Sequence, residues 1–242
     1  MWIRMLAAML AATLLLILLL SLNDEYWLFL PGLLQGAVLT VEITLLAAIV
    51  AIFMAFVAAL AKLYAPLPIR WLSSAYIEIF RGTSALVQLF WLYFVLPQFG
   101  VFLDAFLVAV LALGLNIGAY GAEVVRGAVI SVARGQWEAS VALNMSRGQM
   151  LRRIILPQAF AAMIPPWGNL LIELVKSTSL VSLITLADLT FKAQQMNQTT
   201  LKTVQVFTLV LLIYLAISLT VTIAMRVLEQ RAGQGMTRGK AA

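Results

Sequence analysis

The stretch GQWEASVALNMSRGQMLRRIILPQ, Gly135 to Gln158, is polar and basic inside a chain that is mostly neither. Arg147, Arg152 and Arg153 crowd together with Glu138, Asn144 and Gln149. Its grammar is that of folded helix rather than of a linker. Ser146 followed three residues later by Gln149 fits a capping box. Met150, Leu151, Ile154 and Ile155 form one apolar stripe at helical spacing. Pro157 sets an expected stop, because the residue before a proline avoids the helical region. Upstream, Trp137 and Val141 share one face of a second short helix. Asn144 ends it, since after glycine asparagine best tolerates the left-handed conformation that a reversal needs. The segment reads as two short helices at an elbow. Physics alone leaves two uses open: an interfacial pair binding lipid headgroups, or a knob on which a soluble partner docks.

The chain around the elbow belongs in a bilayer. Of 242 residues 63% are hydrophobic and 11% charged, and the mean hydropathy is +1.02. A spanning helix needs about 20 apolar residues, and six runs qualify or come close: Met5–Leu22, Leu33–Leu60, Thr83–Leu96, Val101–Gly121, Trp167–Leu186 and Val204–Met225. No A-x-A-like cleavage site follows the first run, so it reads as a retained anchor. Ala47, Ala51, Ala55 and Ala59 make a smooth ridge, and Gly114 with Gly118 a GxxxG pair; both favour close helix approach. Pro165 and Pro166 are expected to start the fifth span, and Asp188–Lys202 to form a polar loop. The domain reading is an anchor helix with outer loop (1–30), a membrane domain (31–229) carrying the elbow at 134–158, and a basic tail (230–242).

Charge fixes the expected orientation. With the N-terminus inside, Arg4, Lys62, Arg70, Arg81, Arg126, Arg134, Arg147, Arg152, Arg153, Arg226, Arg231, Arg238 and Lys240 face the cytoplasm, and only Lys192 and Lys202 lie outside. The net charge of +6 therefore reads as basic cytoplasmic loops and not as a nucleic-acid surface. The chain has neither cysteine nor histidine. That removes disulfides, thiolate chemistry, the usual zinc sites and the commonest general base, so no enzyme, metal or cofactor is expected. There is no G-x-x-x-x-G-K-[ST]; GQGMTRGKAA at the C-terminus has the wrong spacing and no hydroxyl residue.

The elbow resembles the EAA loop of permease subunits of ABC importers. Glu138-Ala139-Ser140 stands in the EAA place and Ile155-Leu156-Pro157 in the terminal I-x-L-P place, with Asn144 where that family usually has glycine. IEIFRGTSALVQLFWLYFVLP (Ile77–Pro97), AYGAEVVRGA (Ala119–Ala128) and PQAFAAMIPPWGNLLIELVKSTSLVSLI (Pro157–Ile184) resemble the polar amino-acid branch. LNIGAYGAEVVRGA, WEASVALNMS and NLLIELVKSTSLVSLITLADLTF look most like permeases for ectoine and hydroxyectoine. The resemblance implies an all-α transmembrane protein of the type I permease fold, with a five-helix core plus the anchor. It implies that Gly135, Glu138, Ala139, Ser140, Asn144 and Pro157 couple to a cytoplasmic ABC ATPase dimer. It further implies a second permease subunit, with a heterodimer expected and a homodimer the alternative. A periplasmic or surface-anchored binding protein would deliver solute across a bacterial cytoplasmic membrane, with both termini cytoplasmic.

Charges at membrane depth cost about 2.5–3.5 kcal/mol on insertion scales, so each needs a reason. Glu78 with Arg81 and Glu123 with Arg126 read as neutralising pairs at i,i+3. Glu173 and Lys176 are deeper and lead into Ser177, Thr178 and Ser179, a face expected to line a solute path. For a zwitterion with a delocalised cation, Trp91, Tyr93, Tyr120 and Trp167 are candidate aromatic contacts and Asn116 a polar one; interface belts and helix packing explain any single one of them more simply. Glu42 has no obvious partner. With Glu173 and Lys176 it supplies the competing reading, an ion-driven secondary transporter.

Overall fold

The computed structural model describes residues 2–238, so Lys240 of the expected tail lies outside the described residues. All the regular structure among those residues is helical: α1 (Trp2–Ser21), α2 (Asp24–Trp27), α3 (Leu30–Tyr64), α4 (Leu67–Gly82), α5 (Ala85–Phe90), α6 (Ala105–Ser131), α7 (Arg134–Ala142), α8 (Arg147–Met150), α9 (Leu156–Ser177), α10 (Leu189–Thr200) and α11 (Thr203–Arg238). Wide π-helical turns occupy Trp91–Val95 and Leu151–Ile155, and tight 3-10 turns Leu96–Phe99 and Thr178–Ile184. Five stretches are long and apolar enough to cross a membrane, and a bent pair makes a sixth. Five of the six expected spans are present as such stretches, and the bent pair stands where the third was expected.

The centre is a seam between α3 and α6, which run in the same direction. Ala47, Ala51, Ala55 and Ala59 are fully buried along it. A Cβ on Gly114 would lie 2.8 Å from the Val50 side chain and 3.1 Å from the Ala47 carbonyl oxygen; one on Gly118 would lie 3.1 Å from the Ala51 oxygen. The ridge and the GxxxG pair are thus two halves of one contact. Lipid gives helices no hydrophobic reason to associate, so backbone proximity and dispersion carry the seam. Gly121, which the sequence reading passed over, extends it by admitting the Trp167 ring of α9, 2.6 Å from a built Cβ.

Polar ties fix the neighbours. Ser73 of α4 donates to the Ala58 oxygen at 2.7 Å, and the Tyr76 hydroxyl to the Leu115 oxygen at 2.7 Å. At the elbow end, Glu123 accepts Lys62 at 2.9 Å and Arg126 at 2.7 Å. The expected Glu123–Arg126 pair is therefore a three-charge tie joining α3 to α6. At the far end, α10 and the start of α11 bury Leu189, Ala193 and Val206 against Phe29 and Leu33.

Three expectations need correction. The third crossing is not a short span after a basic loop. It is a broken one, Leu67–Gly82 plus Ala85–Phe99, bent by 108°. Pro66 caps α4 and Pro68 suits its first turn, while Ser73, Tyr76 and Ile77 give it a face for α3 and α6. Arg70 and Arg81 ride on that helix. Next, Pro157 does not stop a helix. The wide turn before it, closed from the Leu156 N–H to the Leu151 oxygen, carries the chain into α9. Pro165 and Pro166 consequently lie inside α9 and not at its start. Finally, Asp188–Lys202 is not a loop: α10 fills it, with the Asp188 carboxylate accepting the Phe191 N–H at 2.8 Å as its cap. Burial pushes that carboxyl up to about 6, and its second oxygen meets no partner among the described residues.

The seam predicts a sharp contrast. Gly114→Val drives a branched side chain into Val50 and should cost about 1–3 kcal/mol. Gly127→Ala, with nothing within 4 Å of its Cβ, should be neutral or better. Melting of the two purified variants in detergent, against wild type, measures both.

Candidate functional site

The elbow is built as its sequence spells it. α7 ends in a left-handed residue, Asn144, at φ 53°. The Met145 N–H reaches the Ser140 oxygen at 3.1 Å and the Asn144 N–H the Val141 oxygen at 2.9 Å. That doubled closure is a Schellman motif, which satisfies the orphan carbonyls of the helix end. α8 opens on a full capping box: the Gln149 N–H donates to Ser146 Oγ at 3.3 Å, and the Ser146 N–H to Gln149 Oε1 at 3.1 Å.

One side of the elbow is rooted and the other bare. Trp137, Met145, Met150 and Ile155 pack into the same core cluster as the α3–α6 seam. Ser140 is buried and donates to the Gln136 oxygen at 2.7 Å. Gly135, Glu138, Ala139 and Asn144 are exposed, beside Val141 at 67% and Leu143 at 75%. Glu138 meets Arg134 at 3.2 Å, but both are solvated, so the pair contributes at most a few tenths of a kcal/mol. Pro157, exposed at the start of α9, belongs to the stem and not to the tip. Ser146, Gly148, Gln149, Arg152 and Arg153 line a basic depression of about 760 Å³ beside it. The knob thus presents apolar tips, one acid and a basic flank on a stem continuous with α6 and α9.

The membrane-depth candidates separate into groups. Lys176 and Ser179 line a cavity of about 520 Å³ between α9 and α11, together with Tyr214, Ser218 and Thr222. Thr178 is buried and donates to the Val175 oxygen at 2.6 Å; Ser179 donates to the Lys176 oxygen at 2.8 Å. Those hydroxyls satisfy the tight 3-10 turn. Ser177 is half-buried and Glu173 exposed, and among the described residues Glu173 and Lys176 form no ion pair. Tyr93 approaches Thr185 at 3.4 Å, and Trp91 stacks on Phe99 at 6.4 Å between centroids. Trp167 is buried beside Gly121, away from the cavity.

Asn116 and Tyr120 have another setting. Both serve the α4–α5 break, which lies level with the middle of α6. The Asn116 amide donates to the Phe80 oxygen at 3.0 Å and to Gln88 Oε1 at 3.1 Å. Gln88 donates to the Phe80 oxygen at 2.9 Å and to Thr83 Oγ1 at 2.7 Å. The Tyr120 hydroxyl donates to the Arg81 oxygen at 3.3 Å. These side chains supply what the broken ladder lacks, as irregular backbone at membrane depth requires. Gln88 was legible as the lone amide within Ala85–Leu96, but its meaning depends on a break that periodicity does not show.

Residues 47–234 match the family of binding-protein-dependent transport system inner membrane components. The chain is 46% identical over 201 residues to "Probable amino-acid ABC transporter permease protein y4tF" of Sinorhizobium fredii, covering 81% of this chain and 84% of that one. It is 39% identical over 210 residues to the L-cystine transport system permease protein TcyB of Bacillus subtilis, covering 86% and 88%. A crystal structure of an amino acid ABC transporter with histidines superposes with a TM-score of 0.79 at 35% identity, over 84% of this chain and 95% of that one.

The elbow geometry makes its own test. Asn144→Gly keeps the left-handed turn and should leave the elbow intact. Asn144→Val, β-branched at positive φ, should cost about 1–2 kcal/mol there. Limited proteolysis of membranes reads the difference as faster cutting at Arg147 in the valine variant alone.

Proposed function

The chain belongs to the family of binding-protein-dependent transport system inner membrane components, and from that premise we propose that it imports a small zwitterionic solute as one half of an ATP-driven pathway. The permease subunit itself is a non-catalytic membrane component. Hydrolysis resides in a cytoplasmic ABC ATPase dimer, and a binding protein delivers the solute. The observation that carries this reading is the rooted elbow: its stem is continuous with two spanning helices, and its tip is bare. A merely interfacial helix pair has no use for such a stem.

In this reading Glu138, Ala139, Ser140 and Asn144 form the coupling tip, with Gly135 and Pro157 at its ends. The elbow lies at the end that also carries Arg4, Lys62, Arg70, Arg126 and Arg226, so the positive-inside rule turns that end and both termini toward the cytoplasm. The bacterial cytoplasmic membrane is the setting. Residues 1–30 serve as anchor, 31–229 as transport domain and 230–242 as tail. The second permease is a related chain, giving a heterodimer. The solute path runs along Lys176, Ser177, Thr178 and Ser179, with Glu173, Trp91, Tyr93, Asn116, Tyr120 and Trp167 behind or beside it. The solute is a polar amino acid, ectoine or hydroxyectoine; the likeness to the L-cystine permease of Bacillus subtilis supports the first, and the stretches LNIGAYGAEVVRGA, WEASVALNMS and NLLIELVKSTSLVSLITLADLTF support the others.

ATP motion at the elbow tilts α6 and α9 as rods, so the two permease halves alternate between faces of the membrane. The importer reconstituted in proteoliposomes should take up radiolabelled cystine, glutamine or ectoine only with ATP and the loaded binding protein. Glu138→Lys should abolish that uptake while the protein stays in the membrane. Uptake that persists without ATP and collapses with an uncoupler would favour an ion-driven carrier instead.

A further inference from the structure

The sequence pairs Glu78 with Arg81, one helical turn apart, and the structure does not. Among the described residues neither forms an ion pair, although each is within reach of the other on α4. Both side chains are exposed, and Gly82, Thr83 and Ser84 beside them are exposed as well. They sit on the last turn of α4, where the crossing breaks by 108°.

The depth of that turn is fixed by its partners. The Tyr76 hydroxyl bonds Leu115, Asn116 bonds the Phe80 oxygen and Tyr120 bonds the Arg81 oxygen. Residues 115–120 are the middle of the Ala105–Ser131 span. An acid and a base therefore stand open to the outside of this chain, halfway across a membrane. Lipid is the wrong neighbour for either. The guanidinium is also held in place: its Cζ lies 5.5 Å from the Tyr120 ring centroid, a cation–π seat that fixes direction without using its donors.

We propose that Glu78 and Arg81, exposed at the α4–α5 break, form a zwitterion-binding site in which Arg81 holds the solute's carboxylate and Glu78 its cationic group. The proposal rests on the import reading above and adds to it the residues that recognise charge. Broken helices at mid-membrane are where transporters concentrate binding groups. A planar guanidinium takes a carboxylate in two parallel hydrogen bonds. The spacing of roughly 5–6 Å between side chains one turn apart suits a small solute carrying both charges. Gln88 and Asn116 act as positioning residues: they hold the Phe80 carbonyl, and with it the last turn of α4. Tyr120 holds Arg81 from below. Lys176 and Ser179 lie in a separate cavity between α9 and α11.

The test uses the assembled complex of this chain with its permease partner and ATPase, without the binding protein. Uptake of radiolabelled cystine, glutamine, arginine and ectoine by the importer with its loaded binding protein first selects the probe that wild type transports, and binding of that probe to the complex is then measured. Arg81→Gln and Glu78→Gln should each weaken binding roughly tenfold or more, with membrane level unchanged. Arg81→Lys should recover part of the loss. Wild type should reject the probe's carboxamide and its N-blocked derivative; Arg81→Gln should stop rejecting the first, and Glu78→Gln the second. Variants that bind the probe and rank its analogues as wild type does overturn the proposal, as does loss of every variant, Arg81→Lys included, from the membrane. A wild-type importer that moves none of these probes when supplied with ATP and the loaded binding protein would instead overturn the import reading itself.

Discussion

Alanine and glycine let α3 and α6 touch backbone to backbone, and the rest of the molecule is arranged around that seam. Lipid offers helices no apolar gain for leaving it, so association has to come from close packing. Four alanines and two glycines bring the two axes near enough for a carbonyl oxygen of one helix to face a glycine of the other. The seam stiffens α6, and α6 supports both regions proposed to act in transport. Its middle holds the α4–α5 break through Asn116 and Tyr120. Its end passes through Val132 and Ala133 into the elbow. The Lys62–Glu123–Arg126 tie clamps α3 to α6 just before that exit.

A lever follows from this arrangement. The elbow is not tethered by a flexible loop; Trp137, Met145, Met150 and Ile155 seat it on the core that the seam builds. A push on its exposed tip reaches α6 and α9 together, because dense packing transmits displacement and does not absorb it. α9 in turn presses Trp167 into Gly121 and carries Lys176 to the cavity beside α11. One rigid body thus links the tip with both groups of membrane-depth polar residues. In the proposed import reading, motion of that body against a second permease half lets ATP chemistry outside the chain open and close a path inside it.

How much of this the sequence disclosed depended on whether a signal was local. The capping box, the left-handed Asn144 and the alanine ridge depend on residues a few positions apart, and each was readable and stands. The broken third crossing was misread because Thr83–Leu96 is apolar and Leu67–Gly82 is not; only contacts to α3 and α6 make the latter a membrane helix. Pro157 and Pro165–Pro166 were read as boundaries because proline removes an i→i−4 bond. For Pro157 a single wide turn at Leu151–Ile155 supplies the slack, and nothing in those residue types announces it. Asp188–Lys202 looked like a loop because its apolar residues are sparse, yet Leu189 and Ala193 suffice against α3, where Gly36 lets the chain come close. Glu78 and Arg81 looked paired because spacing is all a sequence shows of a pair; the break turns them outward instead.

The central claim is that the bare tip of the elbow receives force from a separate motor. The chain contains no cysteine, so a single one reports cleanly. Cysteine placed at Ala139 in the assembled importer should crosslink to the ATPase through a short bismaleimide, while one at exposed Val204, at the opposite end of the bundle, should not. An Ala139 thiol that reacts only with lipid-soluble probes, and never with the ATPase, would contradict the account.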